Sequence, residues 1–225
     1  MKPEGGFGGE SFTPPSAPVT RAILALCVLV QLAATIGGAH FGAVMARHAA
    51  LIPGRVTGRL ASLPGDVPAV LTPLTSLFVH AGWLHLTLNL VFLLWVGRNV
   101  EIVVGRARFI LLFLVSGVAG ALFEVAGAPG SAEQVIGASG AIAGVFGAYA
   151  MLFARQRARP RRVLGLTLGS AVLTALWFAA SWTGLQLLTA AAFNTGEGGI
   201  AVLSHIGGFL AGLALARPLA RRGLR

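Results

Sequence analysis

Apolar residues dominate six stretches of this chain, at about 19–39, 78–98, 107–127, 137–154, 163–185 and 199–217. Each approaches the roughly 20 residues that an α-helix needs to cross a bilayer. Residues 1–18 are mostly Gly, Pro, Ser and Phe with few charges, which predicts a flexible N-terminal tail. Residues 40–75 read as a long connection with prolines at 53, 64, 68 and 73. Its stretch 51–63 mixes Leu, Ile and Val with Arg55 and Arg59, the pattern of an interfacial, partly helical segment. The pattern predicts an all-α, polytopic membrane protein with six transmembrane helices over 19–217 and a basic C-terminal tail over 218–225. A cleaved secretory signal fits the first stretch less well, because the tail before it is long and barely basic and more spans follow.

Composition narrows the class. The chain is 56% hydrophobic and 11% charged over 225 residues, too little polar surface for a soluble domain of this length. A net charge of +10 invites a nucleic-acid partner, but the basic residues sit in connections between apolar stretches instead of along one face. With the N-terminus placed in the cytoplasm, 14 of the 17 Lys and Arg residues are cytoplasmic; only Arg47, Arg55 and Arg59 lie outside. The positive-inside rule then predicts both termini inside and no nucleic-acid partner. The single cysteine, Cys27, has no partner for a disulfide and reads as an apolar space-filler. Nothing in the pattern implies a metal or a cofactor.

The orientation has a chemical consequence. Helices two, four and six all run from outside to inside, so His85 and Asn89, Ser139, and His205 fall at similar depth in the extracytoplasmic half of the bilayer. Polar side chains there are costly and are functional candidates by default. A lone intramembrane serine more often packs or bonds back to its own helix, and a lone histidine at a span end is usually an interfacial residue. Matched depth on separate spans argues for one shared site. Gly140-x-x-x-Gly144 and Gly208-x-x-x-Gly212 are small-residue faces that let helices four and six approach closely. If they meet, Ser139 and His205 come within reach, as nucleophile and base. His85 and Asn89, spaced i, i+4, share a helix face and offer donors to a developing oxyanion. The exposed N–H groups at the start of helix four, where Ser139 sits, favour the same charge. His80, five residues before His85, falls on a different helical face and reads as interfacial or cavity-lining; His40 and His48 read as ordinary loop residues. No acidic third member is evident, since Glu101, Glu124, Glu133 and Glu197 lie near span ends, on loops or at the wrong depth.

At these residues the chain resembles the rhomboid intramembrane serine proteases of the bacterial six-helix type. The likeness rests on His80-Ala-Gly-Trp-Leu-His85-Leu-Thr-Leu-Asn89, on Gly137-Ala-Ser139-Gly140, on His205-Ile-Gly-Gly208-Phe-Leu-Ala-Gly212 and on the turn Val96-Gly97-Arg98-Asn99-Val100-Glu101, spanning about residues 72–217. The resemblance implies Ser139 as nucleophile, His205 as general base, and His85, Asn89 and the Ser139 backbone N–H as oxyanion donors. It further implies Glu101 as a structural residue and Gly208 as the residue allowing close helix contact. The first loop would lie partly in the membrane. Helix five and the loop after it would gate lateral substrate entry, with Trp177, Phe178 and Trp182 as gate aromatics. The substrate would be a membrane-spanning protein, cut near the extracytoplasmic end of its helix, and the location the inner membrane of a bacterium. Two family features are missing. Leu71-Thr72 stands where Trp-Arg is common before helix two, and Ala143 stands where an aromatic often stacks on the catalytic histidine. Two rivals make different demands. A non-cleaving rhomboid-like helix binder typically lacks the Ser or the His. A histidine-based transporter needs intramembrane carboxylates and an internal repeat, and the chain shows neither.

Overall fold

The computed structural model describes residues 16–153, 161–163, 166–169, the pairs 172–173, 176–177 and 180–181, residue 184, and residues 201–220. Nine helices lie among the described residues: α1 (Pro18–Ile36), α2 (Gly38–Ala49), α3 (Pro53–Val56), α4 (Thr72–Thr75), α5 (Trp83–Phe92), α6 (Arg98–Val104), α7 (Arg106–Gly127), α8 (Ser139–Phe153) and α9 (Val202–Leu219). Short 3₁₀ turns flank α4, and a π-helical stretch over Leu93–Gly97 joins α5 to α6 into one span, Trp83–Val104. Among the described residues, four helices are long and apolar enough to cross a membrane: Pro18–Ile36, Trp83–Val104, Arg106–Gly127 and Val202–Leu219; Ala69–Phe78 and Ser139–Phe153 are shorter apolar segments.

The first, third and sixth expected spans coincide with α1, α7 and α9 to within a few residues. The second begins at Trp83 instead of about 78, because Gly82 (φ 141°) breaks the backbone before it, and ends at Gly105 (φ 88°). The fourth starts only at Ser139, after Gly137 (φ 112°); its 15 residues give a length of about 22 Å. The fifth falls mostly outside the described residues. At its start, Arg161–Val163 pairs antiparallel with Leu166–Leu168, the one departure from helix among the named elements. The tails 1–15 and 221–225 are outside the described residues.

Helix α8 is the hub. Gly140 through Ala148 and Ala150 are all buried. Lipid offers no hydrophobic drive for helices to associate, so contact rests on close van der Waals fit, which small residues permit. A Cβ on Gly208 would collide with the Gly140 carbonyl, and one on Gly212 with the Gly144 carbonyl. Partners advance together by four, so α8 and α9 run parallel with backbones in contact. On α7 the order reverses: Gly120 faces Ser204 while Ser116 faces Gly208, so α7 is antiparallel to α9. The opposite surfaces are apolar and exposed, with Leu29, Ile36, Val91, Leu94 and Leu122 pointing away from the bundle. That is the distribution expected of a protein solvated by lipid.

Candidate active site

Three helix starts meet at one end of the hub. His85 is in the first turn of α5, Ser139 is the first residue of α8, and His205 is in the first turn of α9. His205 Nε2 lies 2.7 Å from Ser139 Oγ. The contact follows from the glycine crossing, because only backbones that touch at Gly140–Gly208 bring first-turn side chains so close.

Gly137 shapes the approach to Ser139. Its φ of 112° is a conformation that L side chains rarely adopt, and an added Cβ would sit 2.7 Å from His85 Cε1 and 2.8 Å from His85 Nε2. The His85 ring therefore lies against the Gly137 backbone. Its Nδ1 faces the Ala81 N–H at 3.4 Å. A nitrogen that accepts there leaves Nε2 to carry the proton in the neutral ring, aimed at the 137–139 segment. The Gly137 N–H donates to the Ser76 carbonyl at 2.9 Å, which ties this segment to the chain before α5.

Asn89 is buried, and its Nδ2 donates to the His85 carbonyl at 2.9 Å. Its Oδ1 has no partner among the described residues. The amide thus spends one donor on its own helix and keeps one. His80 is closer to the site than helical periodicity suggests. Its ring stands edge-on to His85 at 5.2 Å, and its Nε2 faces the Ala138 N–H at 3.5 Å. The helical-face argument fails for it because His80 to Gly82 are not helical and α5 starts only at Trp83.

Two carboxylates have roles that spacing does not reveal. Glu101, only 2% exposed, accepts from the Val19 N–H (3.0 Å), the Thr20 N–H (2.7 Å) and the Thr20 hydroxyl (2.7 Å). It caps the start of α1, where the N-cap residue, Ala17, supplies no side-chain acceptor. Glu124 Oε2 accepts from the Ser204 N–H at 3.0 Å, one residue before His205. The sequence sets Glu124 aside with the other glutamates near span ends, on loops or at the wrong depth; it reaches Ser204 because the C-terminal turns of α7 lie beside the first turn of α9.

A family model described as Rhomboid domain matches residues 68–222, more than half of the chain. The chain belongs to the rhomboid family. The comparison with curated proteins returns no match. As a rhomboid with several long apolar helices, it is a multi-pass integral membrane protein of an intramembrane protease family. The match takes in Ser139, His205, His85, Asn89 and His80, and it includes Leu71-Thr72 in place of the family's frequent Trp-Arg.

The first loop of this rhomboid is held by a cluster of buried polar contacts. Arg55 is buried; its Nη1 meets Asp66 Oδ2 at 2.7 Å, and its Nη2 donates to the Arg47 (3.1 Å) and Ala50 (3.0 Å) carbonyls. His48 Nδ1 lies 2.7 Å from Asp66 Oδ1, and the Leu63 N–H donates to Asp66 Oδ2 at 2.6 Å. Burial alone would raise the Asp66 pKa, but the Leu63, Arg55 and His48 hydrogen bonds and the Arg55 charge outweigh it and hold the carboxyl down to about 2. His48, expected to be an ordinary loop residue, is part of this brace. The loop also pairs with the segment before α8: Leu51 bridges Val135, and the Gly54 N–H donates to the Ser131 carbonyl at 2.9 Å. Of the expected gate aromatics, Trp177 is exposed, while Phe178 and Trp182 lie outside the described residues.

Proposed function

We propose that this rhomboid is an active intramembrane serine endopeptidase that cleaves membrane-spanning protein substrates through a Ser139–His205 dyad. The observation that carries the reading is the 2.7 Å contact between His205 Nε2 and Ser139 Oγ, at the crossing of two glycine faces. In the reaction, Ser139 Oγ attacks the scissile carbonyl carbon while His205 Nε2 takes its proton. The carbonyl oxygen becomes an oxyanion. The Nε2–H of His85, the remaining Asn89 donor and the Ser139 backbone N–H stabilise it, with the positive end of the α8 dipole behind them. His205 then protonates the leaving amine. Water hydrolyses the acyl-enzyme by the reverse proton path, and no metal or cofactor is required.

The same reading has six transmembrane helices with both termini in the cytoplasm, in a bacterial inner membrane, and a membrane domain over 19–217 between the two tails. Cleavage falls near the extracytoplasmic end of the substrate helix. Peptide groups inside a helix are shielded by their own hydrogen bonds, so the substrate unwinds locally, and small or helix-breaking residues near the cut favour it. His80 borders the polar cavity through which water arrives.

The test is cleavage of a single-span reporter in liposomes by wild type, Ser139→Ala and His205→Ala. Loss of at least about 10³-fold in both variants, with thermal unfolding preserved, is expected. Cleavage by Ser139→Ala at the wild-type rate overturns the assignment.

A further inference from the structure

The start of α9 carries the proposed base, yet among the described residues it has no side-chain cap of its own. Its N-cap is Ala201, with no side-chain hydrogen bond, and its first turn holds no acidic residue. The first backbone N–H groups of a helix have no partner within it and need one from elsewhere. Glu124 supplies one from another helix through its 3.0 Å bond to the Ser204 N–H, across 80 residues of sequence. Ser204 itself is clamped. A Cβ on Gly120 would lie 2.5 Å from its carbonyl oxygen, and one on Gly140 would lie 2.6 Å from its hydroxyl. Ser204 thus sits between α7 and α8, with its N–H fixed by Glu124, and the next residue is His205. The His205 N–H closes the same first turn by donating to the Ala201 carbonyl at 3.2 Å.

We propose that Glu124 is a positioning residue for the base: its carboxylate oxygen fixes the first turn of α9 and thereby holds His205 Nε2 on Ser139 Oγ. This rests on the dyad reading above. The required group is an acceptor oxygen at the end of a four-bond arm. Gln supplies the same oxygen without the charge. Asp keeps the charge but withdraws the oxygen by one methylene.

The experiment uses the full chain in detergent micelles. It compares wild type, Glu124→Gln, Glu124→Asp, Glu124→Leu and Ser139→Ala. Two rates are followed: labelling of Ser139 by a fluorophosphonate, and cleavage of a single-span reporter resolved into kcat and KM. Thermal unfolding identifies variants that are merely unstable. Glu124→Gln should stay within about threefold of wild type, whereas Glu124→Leu and Glu124→Asp should lose about tenfold or more in labelling rate and kcat with KM little changed. If Glu124→Leu does not fold, the contrast between Gln and Asp decides. Equal rates in Gln and Asp, or a folded Leu variant as fast as wild type, overturn the positioning role and leave the dyad standing. A wild type that takes no label while folded overturns the dyad, and the positioning role with it.

Discussion

At the scale of single residues, Gly137 shows how little room the site leaves. Two requirements coincide there: a backbone at φ 112° and the His85 ring within 2.8 Å of where a Cβ would stand. Gly137→Ala therefore strains the backbone by about 1–2 kcal/mol and also displaces His85. Cleavage should fall by about 10²-fold with only a modest loss of thermal stability. Wild-type cleavage by that variant would mean that His85 is not held against this segment. The Ser139–His205 contact was legible in the sequence, because a serine between glycines and a histidine before a glycine repeat are unusual in apolar spans. His80 and Glu124 were less legible. The helical-face argument for His80 fails because His80 precedes the helix, and Glu124 meets Ser204 across two chain-distant helices whose adjacency periodicity cannot supply.

At the scale of elements, two kinds of contact hold the helices around the site, and they should fail differently. The α8–α9 crossing is backbone on backbone: Gly212 faces the Gly144 carbonyl with no flexible side chain to yield. Gly212→Ala forces the helices apart and should stretch the dyad and lower stability together. Leu210→Ala, on the exposed side of the same helix, should leave cleavage within about twofold of wild type. Equal effects of the two would contradict the close crossing. The cap of α1 is polar and local. Glu101→Ala removes acceptors from two backbone N–H groups and one hydroxyl, and buried donors left unsatisfied cost about 1–3 kcal/mol each. Its signature should be a lower unfolding temperature with kcat per folded molecule unchanged, since α1 contributes no residue to the dyad. Glycine spacing alone marks the crossing in the sequence. The cap was hidden because its donors lie 81 and 82 residues from their acceptor, and because the π stretch at Leu93–Gly97 resets the face on which Glu101 emerges.

At the scale of the whole molecule, the long first connection must keep a fixed place beside the bundle, since it pairs with the segment leading into Ser139. The brace that does this is electrostatic, and it gives the fold a pH signature. Asp66 has a folded pKa of about 2, against an ordinary value of 3.8, because the Leu63 N–H, Arg55 and His48 together override the cost of burial. A depressed carboxyl pKa stabilises the fold above the unfolded value, and that stabilisation is lost as pH falls through the folded one. The gap in unfolding temperature between wild type and Asp66→Asn should therefore be full at pH 7 and pH 5 and shrink below about pH 4. High salt should narrow it only slightly, because the Arg55 and Asp66 side chains are nearly inaccessible to solvent and ions screen buried pairs poorly. A gap that is constant from pH 7 to pH 3 would mean that the Asp66 charge does not hold the loop. The same substitution should also slow cleavage at pH 7, because the loop reaches the dyad through the Leu51–Val135 bridge and through the short segment from Val135 to Ser139. A loop that melts away with the dyad rate unchanged would break that mechanical link, even if the pH signature held.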